Sequence, residues 1–259
     1  MSRIQNAFTH KAFVAFLTAG DPTMDKTEEY IGRLIDGGAD LIEIGIPFSD
    51  PIAEGPVIQS ANVRALAAGA NLEKIFALVV NVRKKYPDTP IVFLTYLNPV
   101  FKYGADNFFK KCAEIGADGI IVPDMPFEEK GEISGAAEKH GIDIISLIAP
   151  TSEDRIKRIA SEAKGYIYIV SSMGVTGMRS EIKTDIGSIV EAVRKYSDKP
   201  TAVGFGINTP EQAQKFSALA DGVIVGSAIV KIIEQYGENA GDELYNYAKR
   251  MKEGCLRAE

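Results

Sequence analysis

The sequence has few of the residues that carry the most specialised chemistry. It contains two cysteines and two histidines in 259 residues. Cys112 and Cys255 lie far apart, without a Cys-x-x-Cys spacing and without a nearby histidine, so they indicate neither a zinc site nor a disulfide framework. His10 and His140 fall in helical or pre-strand segments. Any acid–base chemistry is therefore expected from carboxylates, tyrosines or bound water.

Long apolar runs and excess positive charge are also absent. No apolar run approaches the roughly 20 residues that a membrane helix needs, and residues 1–11 lack the layout of a signal peptide. The net charge of -6 gives no electrostatic footprint for nucleic acid or an anionic membrane. A hydrophobic content of 46% is typical of a globular protein. We expect a cytoplasmic protein with a small-molecule or protein partner.

Short apolar runs alternate with helical patterns along the whole chain. This alternation predicts a (β/α)8 TIM barrel that forms one domain over residues 1–259. A doubly wound open sheet is the alternative, which the lack of a dinucleotide fingerprint disfavours. The eight predicted strands are Phe13 to Thr18, Leu41 to Ile46, Ile91 to Leu97, Gly119 to Pro123, Asp143 to Ala149, Tyr166 to Ser171, Thr201 to Phe205 and Gly222 to Val225. The clearest predicted helices are Lys26 to Asp36, Leu72 to Tyr86, Ala105 to Ile115, Glu128 to Lys139, Glu153 to Ala163, Ile182 to Tyr196 and Pro210 to Leu219.

Two further helices and two long loops complete the predicted barrel. A helix near Ile4 to Lys11 is expected to plug the bottom of the barrel, and another is expected from about Asn239 to Cys255. The longest intervals between strand starts follow strands 2 and 6. Because loops after barrel strands lie on the catalytic face, these two are the candidate lids.

Glu43 is a carboxylate in the middle of an otherwise apolar strand. Side chains alternate along a strand, so Glu43 shares one face with Leu41 and Gly45, while three isoleucines take the other. The isoleucines suit the helix side, which places Glu43 inside the barrel mouth, where desolvation raises a carboxyl pKa. A structural ion pair is the competing interpretation, and it needs a cation. No lysine or arginine falls inside any predicted strand, which disfavours the ion pair and excludes a Schiff-base lysine on a strand.

Other carboxylates follow the predicted strands. A hard divalent metal held by three of them is possible, but no spacing favours it. Asp21 precedes a proline and is interpreted as a helix cap or turn residue, and Asp124 as a structural residue. The carboxylates that follow the predicted strands are Asp21, Asp50, Glu54 and Asp124.

Glycines at the ends of strands 7 and 8 predict a phosphate site. Gly204-Phe205-Gly206 ends strand 7, and Gly226-Ser227 comes just before a helical segment. Barrels commonly bind phosphate at this place through backbone N–H groups and a short helix N-terminus. The segment Gly174 to Gly177 in loop 6 could close over the same anion.

Aromatic residues near four strand ends surround the same mouth. They could fill the core, or they could form a pocket for a flat apolar ligand. Together with carboxylates and a phosphate site, they favour an aromatic phosphate ester as ligand. The four are Phe16, Tyr96, Tyr168 and Phe205.

Several separated motifs resemble the alpha subunit of tryptophan synthase. Residues 41–62, with Gly45-Ile46-Pro47-Phe48-Ser49-Asp50-Pro51 at their centre, resemble the signature of that family, and the likeness runs from Phe13 to about Ile233. The resemblance implies a lyase of tryptophan biosynthesis that cleaves indole-3-glycerol phosphate to indole and glyceraldehyde 3-phosphate. The implied reaction is a retro-aldol cleavage without a metal or an organic cofactor.

The resemblance also implies roles for individual residues. Glu43 would protonate indole C3 and handle the side-chain hydroxyl proton, and Glu54 would interact with the indole N–H. The family most often has aspartate at position 54, so this chain carries an extra methylene group there. Thr176 would order loop 6 against loop 2. The implied phosphate ligands are Gly177, Gly206, Gly226 and Ser227, and the implied pocket walls are Phe16, Tyr96, Tyr168 and Phe205.

A partner subunit is implied as well. The family works in an alpha2beta2 heterotetramer with a beta subunit that holds pyridoxal phosphate. Nothing in the present sequence suggests that this chain binds that cofactor itself. Pro47 to Asp50 and Asn98-Pro99 would face that partner. Two other functions stay open at this point: another triose-phosphate aldolase or isomerase barrel, and a binding subunit that only activates its partner.

Overall fold

The computed structural model describes residues 2–170, 185–204 and 206–258. Eight parallel strands form a closed barrel in chain order, and the ring closes where β1 pairs with β8. Closure confirms the (β/α)8 TIM barrel and excludes the open sheet. The strands are β1 Ala12–Thr18, β2 Leu41–Gly45, β3 Ile91–Leu94, β4 Gly119–Ile121, β5 Asp143–Ile148, β6 Lys164–Val170, β7 Thr201–Gly204 and β8 Gly222–Val225.

Helices surround the barrel on the outside. Most predicted helices are confirmed within a few residues, since polar caps and apolar stripes define them in the sequence; Thr23, for example, accepts the Lys26 N–H at the start of its helix. The α-helices of the described residues are α1 Arg3–Ala7, α2 Met24–Asp36, α3 Pro56–Ala67, α4 Leu72–Lys85, α5 Leu97–Tyr103, α6 Ala105–Ile115, α7 Gly131–Lys139, α8 Glu153–Ser161, α9 Ile186–Arg194, α10 Pro210–Ser217, α11 Ser227–Tyr236 and α12 Gly241–Leu256. The sequence analysis did not predict α3 and α5, which follow β2 and β3.

Alternation along the strands creates two apolar layers. The inner layer fills the barrel and includes Leu41, Tyr166 and Ile224. The outer layer packs the strands against the helices, and Ile42 and Ile44 belong to it. The predicted division of β2 between the two faces is therefore confirmed. Glu43 lies on the inner face with Leu41.

The bottom of the barrel is closed by the N-terminal helix and by aspartates. Ile4 of α1 is buried in the inner layer, as predicted, although the helix is shorter than expected. Asp40, Asp118 and Asp221 each lie at the start of a strand and accept a backbone N–H from the preceding or neighbouring strand. The donors are Phe13 for Asp40 at 2.7 Å, Ile91 for Asp118 at 2.9 Å and Thr201 for Asp221 at 2.8 Å.

One prediction about the strands is wrong. Strand β6 begins at Lys164, two residues before the predicted start, so one strand does contain a cation. The side chain of Lys164 lies at the bottom end, half-exposed, and pairs with Glu138 at 3.2 Å. It is therefore remote from Glu43 at the strand centre.

Among the described helices no single one is long and apolar enough to span a membrane. Helices α3 and α4 meet that measure only as a pair, across a 100° bend.

Candidate active site

A cleft opens at the C-terminal ends of the strands. It encloses about 670 Å³ of space, counting its open mouth. Both carboxylates singled out from the sequence, Glu43 and Glu54, line it, and its described lining includes no lysine or arginine. The other lining residues are Phe16, Ala53, Ile58, Leu94, Ile121, Pro123, Leu147, Tyr168, Gly206, Ile207, Ile224, Gly226 and Ser227.

Glu43 lies at the floor of this cleft, where it is almost wholly excluded from water, with 1% of its surface exposed. The Tyr166 hydroxyl donates a hydrogen bond to its Oε1 at 2.5 Å. Burial raises the pKa of Glu43 to about 7, and the hydrogen bond from Tyr166 opposes that rise. A carboxyl group with this pKa is present in both protonation states near neutral pH, so it can donate and accept a proton.

Glu54 lies beside the cleft just before α3, where Gly55 is the N-cap residue and Pro56 begins the helix. Its carboxylate is buried, with 6% of the residue exposed, and accepts a hydrogen bond from Asn62 Nδ2 at 2.7 Å. Gln59 Nε2 donates to the Glu54 backbone carbonyl, also at 2.7 Å. Burial raises the Glu54 pKa, while hydrogen bonds with Asn62 and Tyr96 lower it. Two side chains on the first turns of α3 thus fix the position of Glu54.

Tyr96 lies behind the cleft wall rather than on it. It is buried, and its hydroxyl accepts the Ala53 N–H at 3.1 Å. Its ring packs against Phe48 with a centroid distance of 5.2 Å. Burial raises the Tyr96 pKa to about 12, which keeps the phenol protonated. Tyr96 therefore holds the segment that carries Glu54, instead of lining the pocket as the resemblance implies.

Phe16 and Tyr168 line the cleft as expected. Each ring occupies space that a neighbouring glycine leaves open. A Cβ atom at Gly45 would lie 2.7 Å from Phe16 Cζ, and one at Gly204 would collide with the Tyr168 ring. These two glycines are therefore required for the aromatic walls, because any side chain would displace a ring.

Backbone groups suited to an anion also line the cleft, and Gly226 lies against the Phe16 ring. Gly206 has φ +89°, a conformation that favours glycine, and Gly226 and Ser227 form the N-terminus of α11. No side chain of the described residues caps this helix, so its first N–H groups and the helix dipole suit a phosphate. Gly206, Gly226 and Ser227 come together as predicted from the glycine pattern. Thr176, Gly177 and Phe205 lie outside the described residues.

The remaining strand-end carboxylates do not converge on the cleft. Asp21 is a turn residue, one of its two predicted roles, because it lies in the bend before α2, whose N-cap is Thr23. It is also buried and forms a two-pronged ion pair with Arg64, with both N–O distances at 2.8 Å. Asp124 is structural, because it accepts the Leu97 N–H at the start of α5 at 3.0 Å. Asp50 is exposed in loop 2. Among the described residues, no group of three or more candidate ligands could hold a metal ion.

The comparison with known proteins is decisive for the family. The family model for the tryptophan synthase alpha chain matches residues 3–256. The chain belongs to the tryptophan synthase alpha chain family. It is 48% identical over 253 residues to the tryptophan synthase alpha chain of Lacticaseibacillus casei, covering 97% of this chain and 95% of the relative.

Solved structures agree with this assignment. The tryptophan synthase alpha chain from Legionella pneumophila superposes with a TM-score of 0.89 at 35% identity, covering 98% of this chain and 97% of that one. A chain from a structure of the tryptophan synthase a2b2 complex of Pyrococcus furiosus gives a TM-score of 0.85 at 36% identity, covering 93% and 97%. As a member of the family, the chain is an enzyme that catalyses the indole-3-glycerol-phosphate lyase reaction.

Tyr166 and Asn62 are two polar residues of the tryptophan synthase alpha site that were not predicted from the sequence. Tyr166 lies two residues before Tyr168 and therefore on the same strand face, a signal that was present in the sequence. Asn62 occurs within the signature segment, but its role depends on α3, which was not predicted. The apolar floor formed by Leu94, Ile121 and Leu147 was also missed, because buried strand residues of this type occur throughout the barrel.

Proposed function

We propose that Glu43 and Glu54 are the catalytic carboxylates of the lyase reaction in this chain. The observation that carries the proposal is that both are buried in one cleft whose described lining has no cation, and burial raises the pKa of both. Because the pKa of Glu43 is about 7, this carboxyl carries its proton in a large share of the molecules at neutral pH and can exchange it with substrate. A structural ion pair, the competing interpretation of Glu43, would instead place a cation beside the carboxylate.

In the proposed reaction, protonated Glu43 donates its proton to indole C3. The ring nitrogen then carries developing positive charge, which Glu54 stabilises by accepting a hydrogen bond from the indole N–H. A proton leaves the side-chain hydroxyl next to the breaking bond and returns to Glu43. The C–C bond breaks, its electron pair restores the aromatic indole, and the hydroxyl carbon becomes the aldehyde of glyceraldehyde 3-phosphate. Protons and electrons balance, and the carboxylic acid is regenerated.

The substrate is held at its two ends in this proposal. Phe16 and Tyr168 contact the flat indole ring, and the N–H groups of Gly206, Gly226 and Ser227 bind the phosphate. Residues outside the described part of the chain are assigned by the family resemblance alone: Phe205 to the indole pocket, Gly177 to the phosphate, and Thr176 to the ordering of loop 6. Binding of the phosphate fixes one end of the substrate, and this orients indole C3 towards Glu43 at the other end.

The test is a Glu43→Gln variant assayed for indole release from indole-3-glycerol phosphate. Glutamine keeps the shape and the hydrogen bond with Tyr166 but cannot transfer the proton, so we expect a loss of at least about 100-fold in kcat. Glu132→Gln, an exposed change on α7, is the control and should retain full activity. Turnover by the Glu43→Gln protein within about threefold of wild type contradicts the assignment.

We also propose that this chain passes indole to a beta subunit in an alpha2beta2 complex. The similarity to the Pyrococcus furiosus complex supports this, as does a surface depression between loop 2 and α5, lined by Phe48, Ser49, Asp50, Leu72, Asn98, Pro99, Lys102 and Tyr103. Ile52 and Phe101 are large apolar residues, 72% and 47% exposed. Co-elution with a beta subunit in gel filtration tests the partner, and Phe101→Glu should prevent it.

Two further proposals concern organisation and location. We propose that residues 1–259 form one domain, because the strands of one closed barrel run from residue 12 to residue 225 and α12 packs back on β1. A cytoplasmic location agrees with two buried free cysteines, which suit a reducing compartment. A single cooperative unfolding transition and cell fractionation test these two proposals.

A further inference from the structure

The pairing between β4 and β5 is short and stops well below the top of β5. Strand β4 has only three residues, and it pairs with β5 only through Gly119 with Asp143 and Ile120 with Ile144. Strand β5 continues to Ile148, with its upper residues paired only to β6. The register between β5 and β6 also shifts between Ile145 and Ser146. Above Ile144, the edge of β5 that faces β4 therefore has no strand partner in the described part of the chain.

A second cavity lies at this opening, and we call it the lateral cavity. It encloses about 1030 Å³ of space, counting its open mouth. Its lining residues are Val122, Pro123, Met125, Pro126, Phe127, Lys130, Ile144, Ile145, Ser146, Leu147, Ala149, Pro150, Thr151, Arg155 and Ile159.

The lining of the lateral cavity includes both faces of β5. Ile145 and Leu147 point into the barrel, whereas Ile144 packs with the outer layer. A strand separates its two faces, so a cavity that touches both must pass around the unpaired edge of that strand. Pro123 and Leu147 line the lateral cavity and the active-site cleft alike. The two spaces are therefore neighbours that share these two side chains as a wall.

The chemistry of the lateral cavity favours a neutral apolar ligand. Met125, Phe127 and Ile159 contribute apolar surface outside the barrel. Ile144 and Leu147 remain partly exposed, although β1, β2, β4, β7 and β8 are fully buried. In a parallel barrel the strands are normally covered on both faces, so this apolar surface is a place where a ligand can be desolvated.

The two cations of the lateral cavity are already neutralised. Arg155 forms a two-pronged ion pair with Glu128, with N–O distances of 2.7 and 3.1 Å. Lys130 pairs with Glu162 and lies 4.5 Å from the centre of the Phe127 ring. Because each cation already has a carboxylate beside it, the cavity offers an anionic ligand little net positive charge, whereas a neutral aromatic ligand needs none. The phosphorylated substrate and product therefore suit the cavity poorly.

We propose that the lateral cavity is a second binding site for a neutral bicyclic aromatic molecule, the indole product, next to the active-site cleft. The identity of the ligand rests on the proposed function, because the lyase reaction forms indole on the other side of the Pro123 and Leu147 wall. Small rotamer changes of Leu147 would connect the two spaces. Indole could then wait in the lateral cavity while the cleft binds another molecule of substrate.

Equilibrium dialysis with radiolabelled indole tests the proposal on the full chain. A saturating amount of 3-(indol-3-yl)propyl phosphate, which lacks the reacting hydroxyls, blocks the cleft. Under these conditions we expect the wild-type chain still to bind about one indole. Ser146→Phe fills the lateral cavity from β5 without touching the cleft lining, and it should weaken this residual binding at least about tenfold.

Ser134→Phe is the matched control. Ser134 lies on α7 and lines the neighbouring groove that Ser146 also lines, but it does not line the lateral cavity. The control should bind indole as the wild type does. Loss of all indole binding when the cleft is blocked, or wild-type binding by Ser146→Phe, overturns the proposal.

Crystals of the wild-type chain soaked with 5-bromoindole give an answer that does not depend on the folding of a variant. Anomalous density for bromine between Met125, Leu147 and Ile159 supports the second site, and density in the cleft alone overturns it. Failure of this proposal is distinguishable from failure of the proposed function. Indole release that depends on Glu43, together with bromine in the cleft only, would leave the lyase assignment intact.

Discussion

The two ends of the barrel hold their carboxylates in opposite ways. At the N-terminal end, three aspartates accept a backbone N–H from a strand and also pair with cations: Asp40 with Lys252 at 2.7 Å, Asp118 with Arg3 at 2.8 Å and Arg83 at 3.0 Å, and Asp221 with Arg194 at 3.3 Å. At the C-terminal end, Glu43 and Glu54 are buried among apolar and aromatic side chains. Their hydrogen bonds come from neutral groups, Tyr166 and Asn62.

The aspartates at the N-terminal end stabilise the barrel, whereas the two glutamates at the C-terminal end are the proposed catalytic groups. The aspartates each also donate their own N–H back to the strand residue that they bond, with N–O distances of 2.8 to 2.9 Å. Charge and geometry are satisfied there, so these groups lock strand starts together. Glu43 and Glu54 have no such ion pair among the described residues, so burial makes their ionised forms costly and raises the pKa of both.

The largest effect, on the free energy of unfolding, is expected from removing an aspartate at the N-terminal end of the barrel. Asp118→Ala removes the partner of both Arg3 and Arg83 and leaves the Ile91 N–H without its acceptor. Breaking a partly buried ion pair of this kind should lower the free energy of unfolding by about 3 kcal/mol, measured by urea denaturation. The kcat of the folded protein should not change.

Asp198→Ala is the control for this prediction. Asp198 pairs with Lys199 but its side chain is 89% exposed, so its loss should change the free energy of unfolding by less than about 0.5 kcal/mol. Equal destabilisation by the two variants would show that the bottom aspartates have no special structural role.

The second prediction concerns the stability cost of Glu43. The pKa of its carboxyl is raised from 4.5 to about 7, so the folded state keeps a proton that the unfolded chain has already lost. Below pH 4.5 the Glu43 carboxyl is mostly protonated in both states; as pH rises from there to about 7, the contribution of Glu43 to the free energy of unfolding falls. The accumulated loss is about 3 kcal/mol.

Glu43→Gln has no proton to lose, so it should gain stability relative to the wild type over this pH window. Urea denaturation at pH 4.5 and pH 8 measures the difference between the two proteins. Glu132→Gln, the exposed control, should show the same pH dependence as the wild type. A pH-independent difference between Glu43→Gln and the wild type would mean that Glu43 is ionised with little penalty.

The placement of Glu43 was predictable, because a strand has a strict two-residue period and the isoleucines identify its outer face. Its partner Tyr166 was harder to predict. The two residues are 123 positions apart, and only closure of the barrel brings β2 and β6 to the same interior. Asp21 was interpreted from its local Asp-Pro context, whereas its actual partner Arg64 lies on the unpredicted helix α3.

The lateral opening was also unpredictable from the sequence. Residues 143–149 resemble an ordinary buried strand, and their register shift against β6 is a property of the assembled barrel. Local pattern therefore gives the order and facing of the elements, while contacts between distant elements depend on tertiary packing.

The third prediction concerns the tether on Glu54. Asn62→Ala removes the hydrogen bond to Glu54 Oε2, which also lowers the pKa of that carboxyl. The freed side chain, with its extra methylene, should sample other positions, and kcat should fall about tenfold. Asn81→Ala is the control, since Asn81 is exposed and donates to Glu28 on the surface. Equal activity of the two variants would show that the Asn62 side chain does not position Glu54.

The smallest effect is expected from Tyr166→Phe, and it is read from a pH profile rather than from a rate. The Tyr166 hydroxyl lowers the pKa of Glu43 against the larger effect of burial, so its removal should raise that pKa further. The midpoint assigned to Glu43 in the pH profile of kcat/KM should move to higher pH, with a change in the maximum of only a few-fold.

Tyr247→Phe separates this effect from a general loss of packing. Tyr247 is a buried tyrosine of α12 that does not line the cleft, and its hydroxyl donates to the Asn208 carbonyl at 2.9 Å rather than to Glu43. Its variant loses a buried hydroxyl in the same way and should keep the wild-type midpoint. If Tyr166→Phe lowers kcat/KM at every pH without moving the midpoint, Tyr166 acts only as a packing residue. In that case the two ends of the barrel differ in the cations beside their carboxylates, and the hydrogen bond from Tyr166 does not set the pKa of Glu43.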